Sequence, residues 1–224
     1  MLEDAIRVIV AVPKKERDHM SEQVTEHLKQ NEAYEVADIL PEAYEYMTEI
    51  IFFRGDFILS VYITDGFRLQ DYPDCTLIEV DLNIGQEIDE SSESDFLATD
   101  EIQALIETTV DLYTGLSTSP KVGFGEETYQ SEVSPISGES FPPEERRFLT
   151  WCDIFSPAEV DAIGRETLLS APAPRAETLA DGSILLISKN PVDNTPPEAV
   201  SEHVGIQTMT DYSDHVSRSE FYDE

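Results

Sequence analysis

The chain has 224 residues, 40% of them hydrophobic, enough to bury a sizeable core and exclude disorder over most of its length. Its charge is lopsided: 47 Asp and Glu against 14 Lys and Arg, a net charge of −33. Clustered cations are what phosphate neutralisation requires, so a nucleic-acid-binding role is excluded.

The acidic excess runs through the whole chain, with 27 acids and 7 bases in residues 1–112 and 20 and 7 in 113–224. Even spreading and scarce lysine favour a halophile, in which molar salt screens carboxylate repulsion to about 3 Å. An acidic decoy for a basic partner is the rival reading. Cys75 and Cys152 lack metal-type spacing and fall in strand-like runs, as buried free thiols do. The first residues, Met1-Leu2-Glu3-Asp4, do not resemble a signal peptide, and no window is apolar enough to span a membrane. A cytoplasmic protein without membrane contact is expected.

In chain order, Ile6–Val12 alternates as a strand that Pro13 stops, and Lys14–Gln30 carries Met20, Val24, His27 and Leu28 at helical spacing. Tyr34–Tyr46 has no decisive period. Thr48–Phe53, Phe57–Thr64 and Thr76–Ile84 read as strands, the first two joined in a hairpin by Arg54-Gly55-Asp56. In the third, Ile78, Val80 and Leu82 alternate with Glu79, Asp81 and Asn83, the pattern of a half-solvated strand. Gln86–Asp95 is an acidic, Ser-rich loop. Thr99 caps a helix whose apolar stripe runs from Ile102 to Leu116, and Gly115 is its natural stop. A short strand follows at Pro120–Gly125.

Glu126–Glu145 has no periodicity and reads as a long loop or linker. The central unit comes next. Phe148–Phe155 is a strand with the only tryptophan, Trp151, expected to be buried. Ser156-Pro157-Ala158-Glu159 is a capping box opening a helix, in which Gly164 suggests close backbone packing. Ala171-Pro172-Ala173-Pro174 is a stiff connection, and Ser183–Ser188 a strand covered on both faces. Thr195-Pro196-Pro197-Glu198 is a second capping box, for a helix that Gly205 closes. The expected fold is α+β: a mixed, largely antiparallel sheet with about four helices packed on it. Residues 1–206 form one domain, or two lobes at 1–125 and 146–206 joined by 126–145. Residues 207–224 form a loose acidic tail.

Catalytic signatures are weak. Gly182-Ser183-Ile184 lacks the second glycine of a nucleophile elbow, and Cys152 with His203 lacks anything to raise a thiolate fraction. Gly123-Phe124-Gly125-Glu126 is followed by carboxylates instead of a phosphate-binding lysine. His19 and His27 stand about 12 Å apart along one helix, at about 1.5 Å per residue. Asp89, Ser91, Glu93 and Asp95 alternate like hard-cation ligands but lack the central glycine and terminal glutamate of an EF-hand. No cofactor or metal is expected.

The order Leu149-Thr150-Trp151, a helix, then Leu179-Ala180-Asp181-Gly182-Ser183-Ile184-Leu185-Leu186-Ile187 and Asn190-Pro191 resembles the second half of a bacterial immunity-protein family. That family guards cells against type VI secretion or polymorphic toxins. The resemblance covers about 60 residues and implies an α+β protein that binds a protein partner. It carries no site residues. Tyr34, Tyr44 and Tyr46 are the candidate partner-binding anchors, against the plainer view that they edge a sheet. The alternatives are a hydrolase or transferase whose site is assembled from scattered residues, and a structural or virus-encoded interaction protein.

Overall fold

The computed structural model describes residues 6–15, 17–44, 47–65, 74–82, 100–126, 134–138, 141–191 and 197–212. The first half runs β1 (Ile6–Pro13), α1 (Arg17–Gln30), β2 (Tyr34–Tyr44), β3 (Met47–Arg54), β4 (Phe57–Asp65), β5 (Cys75–Leu82) and α2 (Asp100–Gly115). The second runs β6 (Val122–Glu126), β7 (Ile136–Ser137), β8 (Glu145–Arg146), β9 (Cys152–Phe155), α3 (Pro157–Ile163), α4 (Arg165–Leu169), β10 (Arg175–Thr178), β11 (Ile184–Ile187) and α5 (Glu198–Val204).

Nine strands form one sheet in the order β10-β11-β9-β6-β1-β5-β4-β3-β2, and β7 and β8 make a separate two-stranded ribbon. The fold is α+β. Two expectations need correction. Among the described residues every pair of named strands is antiparallel, so the sheet is antiparallel and not mixed. Among the described residues the helices number six and not about four, because Gly164 splits one into two and a turn of helix forms at 209–212. No helix among the described residues is long and apolar enough to cross a membrane.

Alternation decides which face each side chain takes. Val8 and Val10 pair with Val80 and Ile78, which pair with Val61 and Ile63, which pair with Ile50 and Thr48. These line the inner face, where Met20, Val24 and Leu28 of α1 and Ile102, Leu105, Ile106, Leu112 and Tyr113 of α2 close the main core. On β11, Leu185 and Ile187 face that core while Ile184 and Leu186 face a second one with Val160, Leu168, Val200 and Val204. That is why its apolar run is unbroken.

The outer face of β5 is where the half-solvated reading fails. All eight of its residues are buried. Cys75 and Leu77 pack with Ile9, Phe124 and Ile136, the last carried by the β7–β8 ribbon. Glu79 and Asp81 are only 5% and 8% exposed. Arg7, one strand away, lies 3.4 Å from a carboxylate oxygen of each, and Thr64 on the other neighbouring strand donates to Glu79. Part of the supposed linker is thus built into the fold, and β6 joins β9 directly in the sheet.

Gly164 also serves a different purpose from the one expected. Its φ of +107°, which L-residues rarely adopt, ends α3 and starts α4. The Ser156–Glu159 capping box forms as expected, with Ser156 N donating to Glu159 Oε2 at 2.7 Å. In α5 the described residue before the first turn is Pro197, and Gly205 closes the helix at φ +75°, as expected; the Thr195 end of the second box lies outside the described residues. The strand around Trp151 is shorter than expected, beginning at Cys152. The tail expectation fails for 207–212. Leu149 N donates to Gln207 O, Thr208 is buried beside it, and Tyr212 packs on Phe148 at 5.4 Å. The loop at Gln86–Asp95, Thr99, Thr195, Tyr46 and 213–224 lie outside the described residues.

Candidate functional site

The segment whose state the sequence left open, Tyr34–Tyr44, is an eleven-residue strand at one edge of the sheet. Its two faces lead to different surroundings.

On the inner face, Tyr34 pairs with Arg54 of β3. Tyr34 is 8% exposed and meets Phe52 edge-on at 5.6 Å, so it is a wall residue and not a protruding anchor. Arg54 Nη1 donates to the Tyr34 hydroxyl and to Thr108 Oγ1, both at 3.1 Å, and Nη2 pairs with Glu107. Burial pushes the Tyr34 phenol up to about 12. From α2, Asp111 accepts from Asn31 Nδ2 at 2.9 Å and stands 3.2 Å from His27 Nε2. Gly115 makes that approach possible: a Cβ there would fall 2.0 Å from the His27 ring. The sequence identified Gly115 only as a helix stop.

These groups border a cleft of about 300 Å³, and its far wall is Arg175 of β10. β10 and β2 are the two outermost strands. In a flat sheet, eight spacings of about 4.8 Å would hold them about 38 Å apart. The sheet therefore curls over α2, and Arg175 reaches Gln103 of that helix at 3.4 Å.

On the outer face, Phe53 stands opposite Ile58, Ile51 opposite Ser60, and Leu40 opposite Glu49. Leu40, Phe53 and Ile58 are three of the four large apolar side chains exposed among the described residues. Glu35 and Asp38, both exposed, pair with Phe53 and Ile51. Towards the sheet centre the face turns polar: Tyr62 and Ser60 donate to Glu49 Oε1 at 3.0 and 3.2 Å. Tyr44 ends β2 at the opposite extremity from Tyr34, so the strand does not bring those two tyrosines together.

The chemistry-bearing groups elsewhere are either buried or held by neighbours on the surface, where His19 and His203 are exposed. Cys152 is 1% exposed, and burial raises its thiol well above its ordinary value. His203 is occupied with Ser170 and the Thr167 carbonyl. His19 bonds Gln23 on its own helix. The glycines of Gly123-Phe124-Gly125 lie in β6 for packing: a Cβ on Gly125 would meet Trp151 Nε1 at 2.2 Å, and one on Gly123 would crowd Ile154.

One polar cluster escaped the sequence reading. Tyr113 Oη lies 3.0 Å from Ser183 Oγ and donates to the Lys121 carbonyl, while Lys121 Nζ, 5.0 Å from the Tyr113 ring, donates to Leu116 O. Burial lowers the lysine and raises the phenol, but Tyr113 and Ser183 are fully buried, so no substrate reaches them. Among the described residues, no group of three or more His, Cys, Asp or Glu is placed to hold a metal ion. Comparison with protein-family models, with curated proteins and with solved structures gives no match to this chain.

Proposed function

We propose that the chain is a non-catalytic protein-binding protein of the toxin-immunity kind. It engages its partner along the outer edge of β2, unpaired among the described residues, and the apolar outer face beside it. The observation that carries this reading is that Phe53 and Ile58 stand side by side, with Leu40 further along the same face of these three adjacent strands. An edge strand offers unpaired backbone groups to a partner strand, and neighbouring apolar side chains give specificity. Glu35, Asp38 and Glu49 rim the patch, so the fitting partner presents an extended segment of alternating apolar and basic residues. The immunity assignment rests on the pattern from Leu149 to Asn190-Pro191. Two bulges in β2 and Pro41 within it guard the edge against indiscriminate pairing.

The test is affinity capture from the native host in molar KCl. The Phe53→Lys/Ile58→Lys double variant should lose a partner that the wild type and a Cys152→Ser variant both retain. Equal recovery by the double variant would remove this surface from the account. A single His or Cys substitution that abolishes a measured turnover would replace binding with catalysis.

We further propose that the charge of −33 is adaptation to high salt. Screening weakens from about 3 Å at 1 M to about 10 Å at 0.1 M, so the carboxylates repel in dilute buffer. Emission from Trp151, the single tryptophan, should move to the blue as KCl rises from millimolar to molar. A buried-indole spectrum already present in dilute buffer would return the charge to the acidic-decoy reading.

A further inference from the structure

We propose that the cleft over α2 binds a small zwitterion of amino-acid size, one carboxylate and one ammonium on a short frame. The cleft has a formally neutral lining in a molecule of net charge −33. Arg54 and Arg175 supply two positive charges, and Glu107 and Asp111 two negative ones. The lining draws cations from both edges of the sheet although the chain has only 14 in all.

A simple anion meets the two carboxylates there, and a simple cation meets the two guanidiniums. Arg54 is already paired with Glu107 and Arg175 with Glu177, so the ligand that fits best carries both charges, a carboxylate to share the guanidiniums and an ammonium to share the carboxylates. Arg54 uses Nη1 and Nη2 for Tyr34, Thr108 and Glu107, and a guanidinium has five N–H donors, which leaves donors for a carboxylate. Asp111 meets Asn31 and His27 on Oδ2 and also interacts with the Tyr34 hydroxyl; a carboxylate has about four lone-pair sites, which leaves room for an ammonium. Val110 and Ala33 give the cleft an apolar stretch for a short side chain. Its volume of about 300 Å³ equals that of roughly ten waters at about 30 Å³ each, at the small end of ligand sites. The cleft opens on the inner face of the β2 edge and the apolar patch on the outer, so this inference stands apart from the protein-binding one.

The test is titration calorimetry on the full chain in molar KCl, with L-alanine, L-valine and L-glutamine as probes. Propionate carries the carboxylate alone and ethylamine the ammonium alone. At least one amino acid should bind saturably at one site per chain, with both single-charge probes weaker by about tenfold or more. Arg54→Met and Asp111→Asn should each weaken that binding by about tenfold or more. Asp111→Asn keeps an acceptor for Asn31 and so separates ligand binding from folding should Arg54→Met unfold. Absence of saturable binding by all three amino acids would overturn the proposal. So would propionate binding as well as they do, or Asp111→Asn titrating like the wild type.

Discussion

Arg146→Met should destabilise the protein by about 3–5 kcal/mol, the cost of removing one member of a buried ion pair. The Arg146 side chain is 3% exposed and ties the β7–β8 ribbon to the sheet. Nη1 reaches Asp153 Oδ1 at 2.7 Å, Nε reaches Glu159 Oε1 at 2.9 Å, and Nη2 reaches the Ile154 carbonyl at 3.2 Å. The guanidinium also lies 4.5 Å from the centre of the Phe155 ring. Methionine fills the space but leaves Asp153, which is fully buried, with an uncompensated charge.

Burial already pushes the Asp153 carboxyl up to about 6, despite the adjacent Arg146 and two hydrogen bonds from Thr150. An unfolded aspartate titrates near 3.9, so this group takes up a proton on folding. Its contribution is fully present below about pH 4 and is lost as pH rises through about 6. The Arg146→Met deficit should therefore be larger at pH 7.5 than at pH 4.5, since protonation relieves the stranded carboxylate. Urea denaturation in molar KCl at both pH values measures it. A loss under about 1 kcal/mol at pH 7.5, the range of exposed pairs, would show that this pair is not held dry.

Trp151→Ala should cost about 3–5 kcal/mol as a large-to-small core change. The indole is fully buried in the main core and occupies the space that Gly125 leaves by having no side chain. Its Nε1 has no hydrogen-bond partner among the described residues. Trp151→Phe should therefore be milder than Trp151→Ala, because it retains a ring and removes a donor that burial leaves unsatisfied. Urea midpoints in molar KCl rank the two. Equal losses would mean that the ring kept in phenylalanine contributes little and that the fit of the indole itself against Gly125 carries the effect.

What the sequence revealed and what it hid follow from the range of the forces involved. Strands such as β1, β3 and β4 were legible because alternation is local, and the Ser156–Glu159 box because its two hydrogen bonds span three residues. β2 was obscure: Pro41 and two register shifts break its period, and an edge strand has a neighbour on one side only. β10 was missed because Arg175–Thr178 is short and nowhere buried. The burial of Glu79 and Asp81 depends on Arg7, far away in the chain. The cleft was invisible for the same reason, since Arg54 and Arg175 meet only when the sheet curls over α2. Of the three proposed tyrosine anchors, Tyr34 belongs to the cleft wall, Tyr44 lies at the strand's other end, and Tyr46 is outside the described residues. The exposed Phe53 and Ile58 carried no signal, because alternation alone does not say which face of a strand is covered.

The claim that the chain works by binding along β2 is tested most directly by amide hydrogen exchange on the captured complex in molar KCl. A partner strand on that edge would protect amides in Tyr34–Tyr44 and slow exchange around Phe53–Ile58, with the amides of the central strands β1 and β5 unchanged. Protection confined to α5 or β10, with Tyr34–Tyr44 exchanging as in the free protein, would place the interface elsewhere and contradict the account.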